Sequence, residues 1–303
     1  MRSTKASALQ RFEFGRHETF AIRHGWLSKG LVRVRDSAGG FQADIETADE
    51  LGLGSKMVKS LSYWLEASGV ASVAPHTRPR QLSISRVGGV IAERDPFFEF
   101  PVSWWFVHLA LANRDNSIFG WFFNDYPQRT FDRLDCVDAY QRYLRERATK
   151  PPSVEMVQRD VSCLLASYAD EPGKLQDPED GTICPLTDLG LLAYHSDTRR
   201  FERIAPHDGV SPEILLACAS KLGLASGLEA VSISELATWR HGPGRIFQMA
   251  SELIDEAAAE AARAYARSGV TFDRLGGERR LRAAHKPPEF WLAHHYDRIG
   301  ASA

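Results

Sequence analysis

Apolar residues recur at helical spacing along most of this 303-residue chain and alternate at strand spacing only briefly. Phe20, Ile22, Trp26, Leu27, Leu31 and Val34 mark one face of a helix expected from about Phe20 to Val34, which DSAGG ends. Thr47 and Glu50 have the T-x-x-E spacing of a capping box, so a short helix is expected there, stopped by Gly52 and Gly54. Ser55 is a natural N-cap for the next helix. Val58, Leu61 and Leu65 mark its buried face; Lys56, Lys59, Ser60 and Tyr63 fall largely opposite. Ala67-Ser68-Gly69 closes it, and Gln81–Arg86 then alternates as a strand does. The order helix, helix–turn–helix, strand pair predicts a winged helix-turn-helix over residues 1–95.

Beyond Pro101 the periodicity is mostly helical. Helices are expected at Val102–Asn113, Phe131–Arg147, Ser153–Tyr168, Pro212–Leu224 and Gly244–Arg267, the last alanine-rich. AYHSDTRRFERIA reads as a hairpin. The fold class is therefore mainly α with small β elements: the winged helix, a helical domain over 96–175, and a helical domain with a hairpin over 176–303.

Charge sharpens one part of this picture. Residues 1–94 hold fourteen Lys/Arg against nine Asp/Glu, a net of +5, while the remainder carries −7. A basic head on an acidic body favours a polyanion at one end. In a winged helix, Arg23, Ser55, Lys56, Lys59, Ser60, Arg78 and Arg80 are the candidate DNA contacts, the last two on the wing. Double-stranded DNA is the expected partner. The alternative is a scaffold or dimerisation module whose lysines are merely solvated.

Other classes are disfavoured. Four widely spaced cysteines without a CxxC pair point to a reducing, cytoplasmic setting and away from zinc or disulfides. No secretory h-region is present, and the apolar run Val102–Ala112 is too short to span a bilayer, so no membrane association is expected. No phosphate-binding loop, GxSxG or dinucleotide fingerprint occurs, and no nucleotide cofactor is expected. Arg16, His17 and Glu18 form a cluster able to bind phosphate or move protons, or else an N-terminal lock with Arg16 or Glu18 in an internal ion pair. His294, His295 and Asp297, and the acidic loop with Asp177, Glu179 and Asp180, are weaker metal candidates.

Three segments carry a resemblance: FGRHETF with RxGWLxK (Phe14–Lys29), LGxGxxMVxSxxYWL (Leu51–Leu65) and RDPFFE (Arg94–Glu99), followed more weakly by YQRYLRE, RDVSCLLASY and the CPL of Cys184–Leu186. With them the chain resembles the SspB-like family of bacterial single-stranded DNA phosphorothioation systems. The resemblance implies a role in antiphage defence beside a cysteine desulfurase, an ATPase and a sulfurtransferase. It also implies a DNA nickase assisted by Mg²⁺ or Mn²⁺. Under that reading His17 serves as acid or base, Glu18 orients it or holds metal, and Arg16 stabilises the phosphorane. The competing readings are a non-catalytic adaptor that brings the sulfurtransferase or ATPase to DNA, and a transcriptional regulator.

Overall fold

Residues 9–37, 39–171, 183–207, 209–275, 277–283 and 285–300 are described by the computed structural model. The first helix begins later than its periodicity predicts. It is α1 (Trp26–Asp36), preceded by Gly25 at φ 74°. Glu18 and Thr19 also lie in the left-handed region, at φ 50° and 73°. The reason is tertiary. The His17 carbonyl accepts from Ser60 Oγ at 2.8 Å and the Phe20 carbonyl from Trp64 Nε1 at 3.0 Å, so this stretch makes only isolated turns of its own and is tied to a later helix.

The short helix α2 (Ile45–Leu51) starts on a different cap from the expected Thr47–Glu50 box. Asp44 accepts from the Thr47 amide at 2.9 Å, Thr47 is buried, and Glu50 pairs with Arg33. Helix α3 (Ser55–Ala67) has Gly54 at the cap position, with Ser55 already inside. Strands β1 (Ala71–Val73) and β2 (Leu82–Ile84) pair antiparallel, and Phe41 adds an antiparallel bridge to Leu82. Ser85 then caps α4 (Arg86–Arg94) through the Gly88 amide.

The remaining elements are α5 (Pro101–Ala112), α6 (Ile118–Asn124), β3 (Thr130–Phe131), α7 (Arg133–Arg147), α8 (Val154–Tyr168), a 3-10 turn at Pro185–Leu189, β4 (Leu192–His195), β5 (Arg200–Arg203), α9 (Pro212–Ser226), β6 (Ala230–Ser232), α10 (Ile233–Thr238), α11 (Pro243–Ile246), α12 (Ser251–Ala264), β7 (Thr271–Leu275), β8 (Glu278–Arg282) and α13 (Pro288–Ile299). The molecule is thus mainly helical with small sheets. The expected hairpin is present as β4–β5, to which β3 adds an edge, and a second antiparallel sheet runs β6–β8–β7. The alanine-rich helix is shorter than expected. Gln248, at φ 57°, interrupts it, and its side-chain amide donates to the Leu191 and Ile204 carbonyls.

The apolar run of α5 is core. Its His108 is fully buried, bonded to the Tyr168 hydroxyl and the Ile246 carbonyl, and burial pushes its pKa down to about 4. Buried residues form one cluster from Phe12 to Tyr296, because α13 packs back on α4 and α5. All four cysteines are buried and unpaired, and among the described residues no helix is long and apolar enough to cross a membrane.

Candidate nucleic-acid interface and a cavity lined by the motifs

The expected DNA contacts separate into two groups. Ser55, Lys56, Lys59 and Arg78 are exposed. Ser60 is not: it is fully enclosed on α3 and spends its hydroxyl on the His17 carbonyl, so it reaches no groove. Tyr63 and Trp64 are buried as well, because residues 13–20 lie across the side of α3 that a groove-reading helix must leave bare. Only the first turn of α3 remains open. Arg80 is exposed but committed, forming an ion pair with Glu66. Arg16 bonds the same Glu66 at 3.4 Å and Glu13 at 3.2 Å, and Glu13 in turn holds Arg114 at 2.7 Å. Arg23 lies half-buried against the Phe20 and Trp26 rings, at 5.3 and 5.5 Å.

The Arg16–His17–Glu18 cluster is drawn into contacts within the protein. His17 is 3% exposed. Its Nε2 donates to Asp160 Oδ1 at 2.9 Å, and its Nδ1 accepts from the Thr19 amide at 3.1 Å. Both ring nitrogens are therefore used inside the protein. Burial opposes a charged imidazole while the neighbouring Cys163 sulfur and Asp160 carboxylate favour it, and a second proton, on Nδ1, would cost the bond from the Thr19 amide. Asp160 also accepts from the Gly15 amide at 2.9 Å. The motif is a lock that pins the N-terminal segment to α3 and α8, with Arg16 turned outward into its ion pairs and Glu18 half-exposed away from them. Arg16 in internal ion pairs is the arrangement expected of an N-terminal lock.

Nor do the metal candidates assemble. His294 Nδ1 donates to the Phe290 carbonyl, His295 bonds Glu213, and Asp297 pairs with Arg94. Asp177, Glu179 and Asp180 lie outside the described residues. Among the described residues no group of three or more His, Cys, Asp or Glu is placed to hold a metal ion.

What the motif segments do bring together is a cavity of about 310 Å³. His24, Leu27 and Ser28 come from the RxGWLxK stretch, Phe97 to Glu99 from RDPFFE, Trp104 and Trp105 from α5, and Pro185 and Asp188 from the turn that begins in CPL. The RDPFFE turn is built around Asp95. This buried carboxylate accepts from the Glu99 amide at 2.7 Å, the Phe100 amide at 3.2 Å and the Ser103 hydroxyl. Burial raises its pKa, against the pull of those bonds. The turn puts Phe98 at φ 56° and leaves Phe97 70% exposed beside the opening. Aromatic walls with an imidazole and two carboxylates near the rim can stack a flat ring and accept its amino protons. Sequence reasoning assigned no role to these residues. The pointer in the sequence was that most of them fall in three of the segments that carry the resemblance.

A search of curated proteins gave no match. Two solved structures share the fold. One, a crystal structure of magnesium-ion-bound SspB, aligns at TM-score 0.81 and 22% identity, covering 97% of this chain and 89% of that one. The other, a crystal structure of SspB, aligns at TM-score 0.78 and 23% identity, covering 98% and 89%. A family model matches residues 14–296, and the chain belongs to the family described as "Protein of unknown function (DUF4007)".

Proposed function

We propose that this protein is the DNA-engaging component of a phosphorothioate-modification system, acting in antiphage defence beside a cysteine desulfurase, an ATPase and a sulfurtransferase. The observation that carries the reading is the fold it shares with SspB over 97% of its length. The order α1, Phe41 bridge, α2, α3, β1–β2 fits a winged helix-turn-helix, with residues 74–81 as the wing. DNA then meets the first turn of α3, where Ser55, Lys56 and Lys59 flank amides that no side chain caps, and Arg78 on the wing. This is a grip by one helix end and one loop. A helix laid along the groove would need the face that residues 13–20 cover.

Two versions of this function differ in chemistry. In the first the protein opens one strand. The support is that a structure with this fold is described as magnesium-ion-bound. In the second it is an adaptor that holds DNA for the sulfurtransferase. The support is that the Arg16–His17–Glu18 cluster is a structural lock and that no metal-holding group occurs among the described residues. Purified protein incubated with supercoiled plasmid and Mg²⁺ or Mn²⁺, with an EDTA control, separates them. Metal-dependent open-circle product establishes the nickase. Retarded plasmid that stays supercoiled establishes the adaptor. Failure to bind duplex DNA at low salt overturns both.

A further inference from the structure

A second cavity, of about 550 Å³, is built around positive charge. It opens where the end of α6 meets β5 and α11, and Arg129, Arg203 and Arg245 all line it; no aspartate or glutamate does so among the described residues. Arg203 is held in place by neutral acceptors only. Its Nη1 donates to the Tyr126 carbonyl, its Nη2 to the Phe123 carbonyl at 3.3 Å, and its guanidinium lies 5.3 Å from the centre of the Phe122 ring. Its Nε is buried without an acceptor. Arg245 likewise bonds only carbonyls, those of Thr238 and Asn124, both at 3.3 Å. Arg129, at the mouth, is 77% exposed and has one carboxylate partner, Glu202 at 3.2 Å.

The carbonyls of Phe123 and Asn124 close α6, so one role of Arg203 and Arg245 is to cap that helix. Capping does not balance the charge. A helix C-terminus offers about half an elementary charge, and the largely buried Arg203 alone brings a full one, with Arg245 beside it. Burial and the nearby Arg245 charge pull the Arg203 pKa down to about 10, the signature of a cation without a counter-ion. A buried charge normally sits beside its opposite, and arginine forks match oxyanions in two-point geometry. We propose that this cavity binds a phosphate group, with Arg203 and Arg245 as its ligands and Arg129 at its mouth. The phosphate belongs either to a single-stranded DNA backbone or to a free phosphate or nucleotide. The inference rests on the cavity's own charge balance and stands apart from the winged-helix grip.

The test uses the full chain and two probes, inorganic phosphate and a short single-stranded oligonucleotide. Arg245→Met is the main variant, because Arg245 is exposed and its carbonyl bonds are long. In the wild type, phosphate should raise Tm by about 2 °C or more over chloride at equal ionic strength, and Arg245→Met should abolish the rise. Arg129→Met should weaken it while leaving Tm in chloride unchanged. An oligonucleotide affinity that falls about tenfold in Arg245→Met, with Lys56 and Lys59 intact, assigns the phosphate to DNA. Loss of the phosphate effect with unchanged oligonucleotide affinity assigns it to a free phosphate or nucleotide. No phosphate-specific rise in the wild type, or a rise that survives in Arg245→Met, overturns the proposal.

Discussion

Asp160 holds the N-terminal segment with a single buried oxygen, which accepts from both the Gly15 amide and the His17 ring. Removing one partner of a buried charged contact leaves the other desolvated and alone, at a cost of about 3–5 kcal/mol. Asp160→Ala should therefore lose about that much stability in urea unfolding. Asp160→Asn, whose side-chain oxygen still accepts, should lose less. His17→Ala should act through stability as well: activity scaled to the folded fraction should stay near wild type, and a complete loss in well-folded protein would restore a chemical role to His17. Glu213 gives the matching case at the other end of the chain. It is fully buried on α9 and accepts from Tyr265, from His295 at 2.8 Å, and from Arg298 at 2.7 and 3.2 Å. Burial pushes its pKa up, but these bonds outweigh it and hold the carboxyl well below the usual range. A depressed folded pKa stabilises above the unfolded value of about 4.3, and that contribution is lost as pH falls toward the folded value. The stability gap between wild type and Glu213→Gln should be full at pH 7 and shrink below about pH 4. A gap constant from pH 7 to 3 would show that the carboxylate charge is not what holds α13 to α9.

Two adjacent glycines in α4 show how an element is fixed by what it packs against. A Cβ on Gly88 would fall 1.9 Å from the Val70 carbonyl oxygen, whereas one on Gly89 would meet nothing within 4 Å. Gly88→Ala should cost about 1–3 kcal/mol by overpacking, and Gly89→Ala should gain about 0.5–1 kcal/mol of helix propensity. Paired urea curves should thus shift in opposite directions; shifts of the same sign would show that α4 does not sit against Val70 as described. The same distinction explains what could be read from the sequence. Elements that carry their own signals were legible: Pro101 opens α5, Ser153 caps α8, and the AYHSDTRRFERIA segment forms its hairpin. Elements decided by distant partners were not. Residues 20–25 look helical until Trp64 claims the Phe20 carbonyl. The β6–β8–β7 sheet joins Ala230 to Arg282 through the polar strand ERRLR, which has little alternation to betray it. The candidate site divides in the same way. Exposure of Lys56 and Lys59 followed from helical phase, but burial of Ser60 depended on a covering segment that phase alone does not show.

At the scale of the whole molecule, the basic surplus of the first 94 residues is unevenly available. Arg16 and Arg80 are tied to Glu66, Arg33 to Glu50, and Arg35 to Asp36. Lys56 and Lys59 at the start of α3 and Arg78 in the 74–81 loop are exposed and stand outside these pairs, as do Arg11 and Lys29. Under the proposed function the net −7 of the rest of the chain makes the basic end the favoured side for a duplex. Each phosphate contact adds about 0.9 to the steepness with which log K falls against log salt. Lys56→Glu with Lys59→Glu should therefore flatten the slope by about 1.8 and weaken duplex binding at every sequence, and Arg78→Ala should flatten it by about 0.9. Arg80→Ala is the internal control: its charge is already spent on Glu66, so its slope should match the wild type. Fluorescence anisotropy of a labelled duplex between 50 and 200 mM salt measures all three. If Arg80→Ala flattens the slope as much as the double lysine variant, DNA lies over the Glu13–Arg16–Glu66 network and not on the first turn of α3. The covering segment 13–20 would then be part of the interface, and the lock that holds it would set affinity as well as stability.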